Sequence, residues 1–309
     1  MTVDVRLPLF AAALLLAACS GGAKPAAKEA PADAADKGDA DKGDADKGDA
    51  DKGDADKGDA GKGDAGKPET YAVKTGKEDA KALIRDGEVH FAGLTKLTYG
   101  GENAEAYYSF DESKLILQST RGGRECDQIY VLDLADGMAN MVSTGKGRTT
   151  CAYFLPGDER ILYASTHAAD DGCLPPPDRS HGYVWKLYDE FDIYVADADG
   201  RNPTVLSASP GYDAEATVSP QGDRIVFTST RDGDPEIYSM ALDGSDVKRL
   251  TNTPGYDGGP FFSPDGTKII YRANHPEGDE ELAKYEEIRK EGLVRPTRLE
   301  LFVMDADGQ

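Results

Sequence analysis

The chain has 309 residues, 30% of them charged, and a net charge of −22. Residues 1–35 sum to zero and residues 36–67 to −4, so −18 falls on residues 68–309. A body that acidic repels phosphate backbones, whose affinity for proteins rests on Lys and Arg displacing counterions, which excludes nucleic acid as a partner and anionic membrane surfaces with it.

Arg6 precedes an apolar stretch from Leu7 to Ala18, too short for a permanent membrane span and of the length of a secretory h-region. It ends in Leu16-Ala17-Ala18-Cys19, which resembles the bacterial lipobox. The resemblance implies a signal peptide over 1–19 and an acylated Cys19 at the new N-terminus. Each buried methylene of such a chain contributes about 0.8 kcal/mol, so multiple acylation makes a durable anchor. Ser20 follows, and a residue other than Asp there implies sorting to the outer membrane.

Residues 36–60 read DKGDA five times, then GKGDA and Gly66-Lys67-Pro68. With no aromatic or β-branched side chain, this run cannot bury enough apolar surface to offset the entropy of ordering. Residues 20–69 are therefore expected to be a disordered linker, with an r.m.s. span of roughly 40 Å. Residues 70–101 are read as an N-terminal segment with a short helix and a closing strand.

The rest is a repeat. Gly211-Tyr212-Asp213 returns 44 residues later as Gly255-Tyr256-Asp257, and Ser219-Pro220 as Ser263-Pro264. Arg224-Ile225-Val226-Phe227 returns as Lys268-Ile269-Ile270-Tyr271 at the same interval. Lys114–Thr120 and Arg160–Thr166 fit as earlier copies. Each copy reads as four short strands separated by Pro-x-Gly and Asp-Gly turns. Four strands in about 44 residues is the period of a β-propeller blade, and such a blade must pack against neighbours to bury its faces.

Ser219-Pro220-Gln221-Gly222, Ser263-Pro264-Asp265-Gly266, Ser229-Thr230-Arg231-Asp232-Gly233 and Met304-Asp305-Ala306-Asp307-Gly308 resemble the motifs of the TolB-type, WD40-like β-propeller family. The expected fold is all-β, with four-stranded antiparallel blades over 102–309. About four blades are present, the last without its outer strand. Either Thr95-Lys96-Leu97-Thr98, which is similar to the outer strand ending in Thr251, closes the fourth blade, or the chain is a fragment of a six-bladed ring. The second reading is favoured.

Two copies carry inserts between strands two and three: 26 residues between Thr166 and Ile193, and 26 between Asn274 and Leu301, against 6 between Thr230 and Ile237. Both inserts rise from one face. A helix is expected over Asp279–Lys290, with Leu282, Tyr285 and Ile288 on one stripe and Gly292 as its stop. In the earlier insert Tyr183 and Trp185 are candidate anchors for a partner, or pins that hold the loop to its blade.

Inner strands begin at the channel mouth with Asn103, Thr149, Asp213 and Asp257, and two residues on stand Glu105, Cys151, Glu215 and Gly259. These carboxylates suggest an acidic mouth for a cationic peptide or a divalent ion. Alternatively, they accept hydrogen bonds from residues such as Arg121, His167, Arg231 and His275, which follow strand two in each copy. No phosphate loop, Gly-x-Ser-x-Gly elbow or His-Glu-x-x-His motif occurs. Some propeller polysaccharide lyases use His-rich metal sites, but an intervening blade separates His167 from His275 and no spacing fixes a third ligand, so no metal or cofactor is expected. Of Cys126, Cys151 and Cys173, Cys151 is expected to pair with Cys126 or with Cys173.

The expected role is that of a lipid-anchored, periplasm-facing outer-membrane protein that binds a cell-envelope protein or peptide at the channel mouth or insert face and catalyses nothing. A metal-dependent lyase is the competing class, and the acidic body disfavours it for a polyanionic substrate.

Overall fold

The computed structural model describes residues 70–71, 78–79 and 81–309. The expected signal peptide, the lipidation candidate Cys19 and the expected DKGDA linker lie outside them. The described residues form four antiparallel sheets arranged as blades, with a single α-helix.

Two residue pairs lead into the first blade. β1 (Thr70–Tyr71) runs beside that blade, and β2 (Glu78–Asp79) pairs with β3 (Thr95–Lys96). A 3-10 turn over Lys81–Leu83 lies between β2 and β3. Blade one holds β4 (Glu102–Tyr108), β5 (Lys114–Thr120), β6 (Gln128–Asp133) and β7 (Ala139–Met141), with β1 outermost. Blade two holds β8 (Thr149–Phe154), β9 (Arg160–Ser165), β11 (Asp192–Asp197) and β12 (Thr204–Ser207), and β10 (Trp185–Lys186) lies in its insert. Blade three is β13 (Asp213–Val218), β14 (Arg224–Ser229), β15 (Glu236–Ala241) and β16 (Lys248–Arg249). Blade four is β17 (Tyr256–Phe262), β18 (Lys268–Asn274) and β20 (Glu300–Asp305), with α1 (Gly278–Arg289) and β19 (Leu293–Val294) in its insert.

The expected closing strand is thus corrected. Thr95–Lys96 pairs with Glu78–Asp79 and not with blade four. The adjacent Leu97 explains the placement, because it packs on the outer-face cluster of blade one that holds Leu115, Leu117, Tyr130 and Leu132. Leu97 is partly buried there, which is favourable at about 25 cal/mol per Å² of apolar surface removed from water. The β20 strand keeps an unpaired edge, with Val303 62% exposed.

Apolar alternation along the strands builds one core at each blade boundary. Ile116, Ile129 and Val131 of blade one meet Phe154, Ile161 and Tyr163 of blade two. Leu162, Ile193 and Val195 of blade two meet Ile225, Phe227 and Met240 of blade three, and Ile237 meets Tyr271 and Ala273 across the last boundary. The repeated Asp-Gly turns have a packing reason as well as a turn reason. A Cβ on Gly200 would stand 2.5 Å from the Val142 carbonyl oxygen, and one on Gly244 2.4 Å from that of Leu206. At both turns a side chain would collide with the outer strand of the preceding blade.

Candidate functional site

Inner strands carry a bulge at one repeated position. Register breaks fall between Ala104 and Tyr107, Thr150 and Tyr153, Ala214 and Thr217, and Gly258 and Phe261. The residues in those bulges are Glu105, Cys151, Glu215 and Gly259, all in the left-handed region at φ 51°, 50°, 57° and 61°. A bulge re-aims a strand's side chains and is found beside functional sites. Here it turns the two glutamates into the hub.

One layer deeper, Tyr107, Tyr153 and Phe261 meet with ring centroids 5.4, 5.5 and 6.1 Å apart. Three blades thereby close the axis with aromatic surface. Above this plug Arg272 lies against Glu215, which also accepts from Thr228 Oγ1 at 2.7 Å and from the Gly259 amide at 2.8 Å. Arg272 Nη2 donates to the Tyr256 hydroxyl at 3.1 Å. Burial opposes the Arg272 charge, yet Tyr256, Glu215 and Glu105 more than offset it and raise its pKa. Glu105 is shifted upward, first by burial and then by the neighbouring Glu215 charge, against the Tyr107 hydroxyl that donates to its Oε2 at 2.5 Å. Its Oε1 is buried and meets no hydrogen-bond donor.

The expected acidic mouth is mostly covered. Asp213 is 0% exposed and accepts from Arg231 Nη2 at 3.1 Å and from Ser207 and Ser209 hydroxyls. Asp257, also buried, holds His275 Nε2 at 2.8 Å. Asn103 accepts from Arg121, whose Nε donates to Ser119 Oγ at 2.9 Å, but Asn103 itself is exposed. His167 breaks the pattern: its Nδ1 meets Ser165 Oγ at 2.8 Å, and its ring lies 4.3 Å from that of Tyr194. Burial lowers the His167 pKa. Arg231 and His275 therefore supply counter-groups to Asp213 and Asp257 within their own blades, and at the blade-one corner Asn103 stays exposed.

The two inserts join. β10 pairs with β19, setting Trp185 opposite Val294, so inserts from blades two and four form one cap. Val184, Leu293 and Ile288 seal it, with Ile288 from the expected apolar stripe of α1. Trp185 is 5% exposed, packed edge-on to Tyr256 with Arg272 5.0 Å from its ring centroid. As a surface anchor it is corrected. Tyr183 is 53% exposed and accepts from Trp185 Nε1 at 3.1 Å.

The disulfide is Cys126–Cys173 and ties the first insert to the strand-two loop of blade one. Cys151 is not one of its partners, which corrects the expected pairing. The Cα atoms of Cys126 and Cys173 stand 5.8 Å apart, within bridging reach, while Cys151 lies in the hub bulge with its amide donating to Gln118 Oε1 at 3.1 Å.

Sequence reasoning missed Arg272. A signal was present, since its blade position is held elsewhere by Gln118, Ala164 and Thr228, each paired with the residue after a mouth position. A lone charge among uncharged equivalents marks a buried ion pair. Among the described residues no three His, Cys, Asp or Glu side chains gather as a metal-ligand set.

Residues 177–291 match the family described as TolB beta propeller domain. Solved structures similar to the chain include a protein assigned as a TolB of Agrobacterium tumefaciens, 22% identical, covering 68% of this chain and 79% of that one with a TM-score of 0.38. TolB from Acinetobacter baumannii is 21% identical, covering 72% of this chain and 56% of that one with a TM-score of 0.48. The tricorn protease is 18% identical over 60% of this chain and 17% of that one, with a TM-score of 0.39. The matched segment, residues 177–291, is thus similar to the TolB beta propeller domain, the family that the repeat motifs resemble.

Proposed function

We propose that the protein is a non-catalytic, lipid-anchored scaffold of the cell envelope that docks a protein or peptide at the open blade-one corner of its hub. One observation carries this reading: Glu105 presents a buried, donorless Oε1 beside exposed Asn103, with one Arg272 serving two carboxylates. A buried acceptor without a donor leaves free energy of about 1–3 kcal/mol to be recovered by a partner that supplies one. The matching chemistry is a Lys, Arg or amide N–H on a peptide. The TolB-type fold supports a binding role, and the lipobox supports envelope placement at the outer membrane. Tyr183 offers a second exposed contact on the insert face, while His167, Arg231 and His275 position their own blades.

The test is site-specific photocrosslinking in intact envelopes, with the photoreactive residue at Asn103 and, as a control, at exposed Lys248. A discrete protein adduct from position 103 alone supports the reading. Adducts shared by both positions, or none, contradict it, and chelator-sensitive cleavage of an acidic polysaccharide by the purified protein supports the lyase instead.

A further inference from the structure

A cleft of about 430 Å³ lies between α1 and the strand-two loop of blade three, its wall including Asp234, Leu282, Tyr285, Glu286, Arg289 and Lys290. It is remote in construction from the hub, and no residue of the site above lines it. Asp234 is fully engaged: the Tyr285 hydroxyl donates to its Oδ1 and the Gly255 amide to its Oδ2 at 2.8 Å. That leaves Arg289 undersupplied. Its Nη2 donates to the Gly233 carbonyl at 3.0 Å, but its Nε stands 3.8 Å from Asp234 Oδ1, beyond hydrogen-bond reach. Nε and Nη1 are buried and meet no acceptor.

A guanidinium carries five N–H donors and cannot shed its charge to escape burial. Its unmet donors require acceptor oxygens, and charge-assisted bonds to a carboxylate are about twice as strong as neutral ones. Lys290 adds a second, exposed cation at the rim, and Leu282 and Pro254 add apolar wall. In a body with a net charge of −18, the lining sets Arg289 and Lys290 against Asp234 and Glu286, so the cleft is locally balanced where its surroundings are acidic. We infer that the cleft is a binding site for a peptide carboxylate flanked by an apolar side chain, with Arg289 as the buried anchor and Lys290 as the rim contact.

The experiment follows backbone amide shifts of Gly233 and Leu282 in the full chain while three probe peptides are titrated. They are acetyl-Gly-Gly-Leu with a free C-terminus, acetyl-Gly-Leu-Glu-amide, and neutral acetyl-Gly-Gly-Leu-amide. Saturable shifts from at least one acidic peptide, with the neutral one at least tenfold weaker, support the site, and the choice between the acids identifies a terminal or a side-chain carboxylate. Lys290→Glu, at an exposed position that leaves the fold intact, is expected to weaken binding several-fold, and Arg289→Gln at least tenfold. Equal binding of the neutral peptide, or unchanged affinity in Lys290→Glu and in a folded Arg289→Gln protein, overturns the assignment. Absence of shifts with all three overturns it as well.

Discussion

The Arg272 guanidinium lies 5.0 Å from the Trp185 ring centroid while pairing with Glu215, so one side chain links the insert cap to the hub bulge. A cation over an indole face contributes about 2 kcal/mol when desolvated, and here it also positions the counter-charge of a buried carboxylate. Trp185→Ala is therefore expected to destabilise the fold by about 3–5 kcal/mol, as truncation of a buried Trp does. Arg272→Met leaves Glu215 buried without its cation and is expected to destabilise by a similar 3–5 kcal/mol. Denaturant unfolding of both single variants and the double variant checks the link. The double variant should lose less than the sum, by about 0.5–3 kcal/mol, and strict additivity would deny the coupling.

The bulge position makes a backbone prediction. Gly259 sits at φ 61°, and a Cβ there would come 3.2 Å from Arg272 Cζ. Gly259→Ala is expected to cost about 1–3 kcal/mol through left-handed strain and displacement of Arg272. Glu105→Gly at the equivalent position relieves the same strain, so its stability loss should be the smaller of the two.

The Cys126–Cys173 bridge closes a separation of 47 residues. The chain-entropy treatment gives about 4 kcal/mol for a loop of that length. Cys126→Ser with Cys173→Ser should lower stability by up to that amount and free the first insert from blade one. Peptide mapping without reduction should recover a fragment containing both cysteines, and a 126–151 or 151–173 linkage would refute the bridge.

Acid–base behaviour follows from six carboxyls, Glu105, Asp127, Asp192, Asp234, Glu236 and Asp257, whose pKa values burial raises in the folded state. Each then binds its proton more tightly when folded than unfolded, so its contribution is favourable at low pH and is lost as pH rises from about 4 through the raised value. Exposed Asp111 and Asp265 oppose this. Hydrogen bonds from the backbone and hydroxyls of nearby Ser and Thr side chains pull both down to about 2, and their contribution disappears as pH falls from about 4 toward 2. The unfolding temperature should accordingly decline as pH rises from about 4 through the raised values of the buried carboxyls. Asp257→Asn should flatten that decline. Screening by 0.5 M salt should remove surface repulsion but leave the buried share of the slope.

Much of this architecture is written in short-range chemistry. The 44-residue interval of Gly211-Tyr212-Asp213 and the Asp-Gly turns carry the blades, because both are dictated by local turn geometry and by packing on the next blade. The helix of the second insert was legible from Leu282, Tyr285 and Ile288, which are the stripe that turns inward. The cap was not. β10 and β19 are two residues each and join segments more than 100 positions apart, so neither has a periodicity to read. The same holds for Thr95–Lys96, whose similarity to an outer strand was real in sequence but yielded to Leu97 burial on blade one. Asp213 and Asp257 stand at or beside the starts of inner strands, while their contacts with Arg231 and His275 depend on side-chain reach that spacing alone leaves open.

The central functional claim is that the blade-one corner of the hub binds a partner. It is tested most directly by measuring the affinity of the protein crosslinked from position 103 for the wild type and for Asn103→Arg with Glu105→Gln. A partner that uses Glu105 as acceptor should lose at least tenfold in affinity with the variant, while a Lys248→Ala control retains it. Equal affinity for wild type and variant would contradict the account.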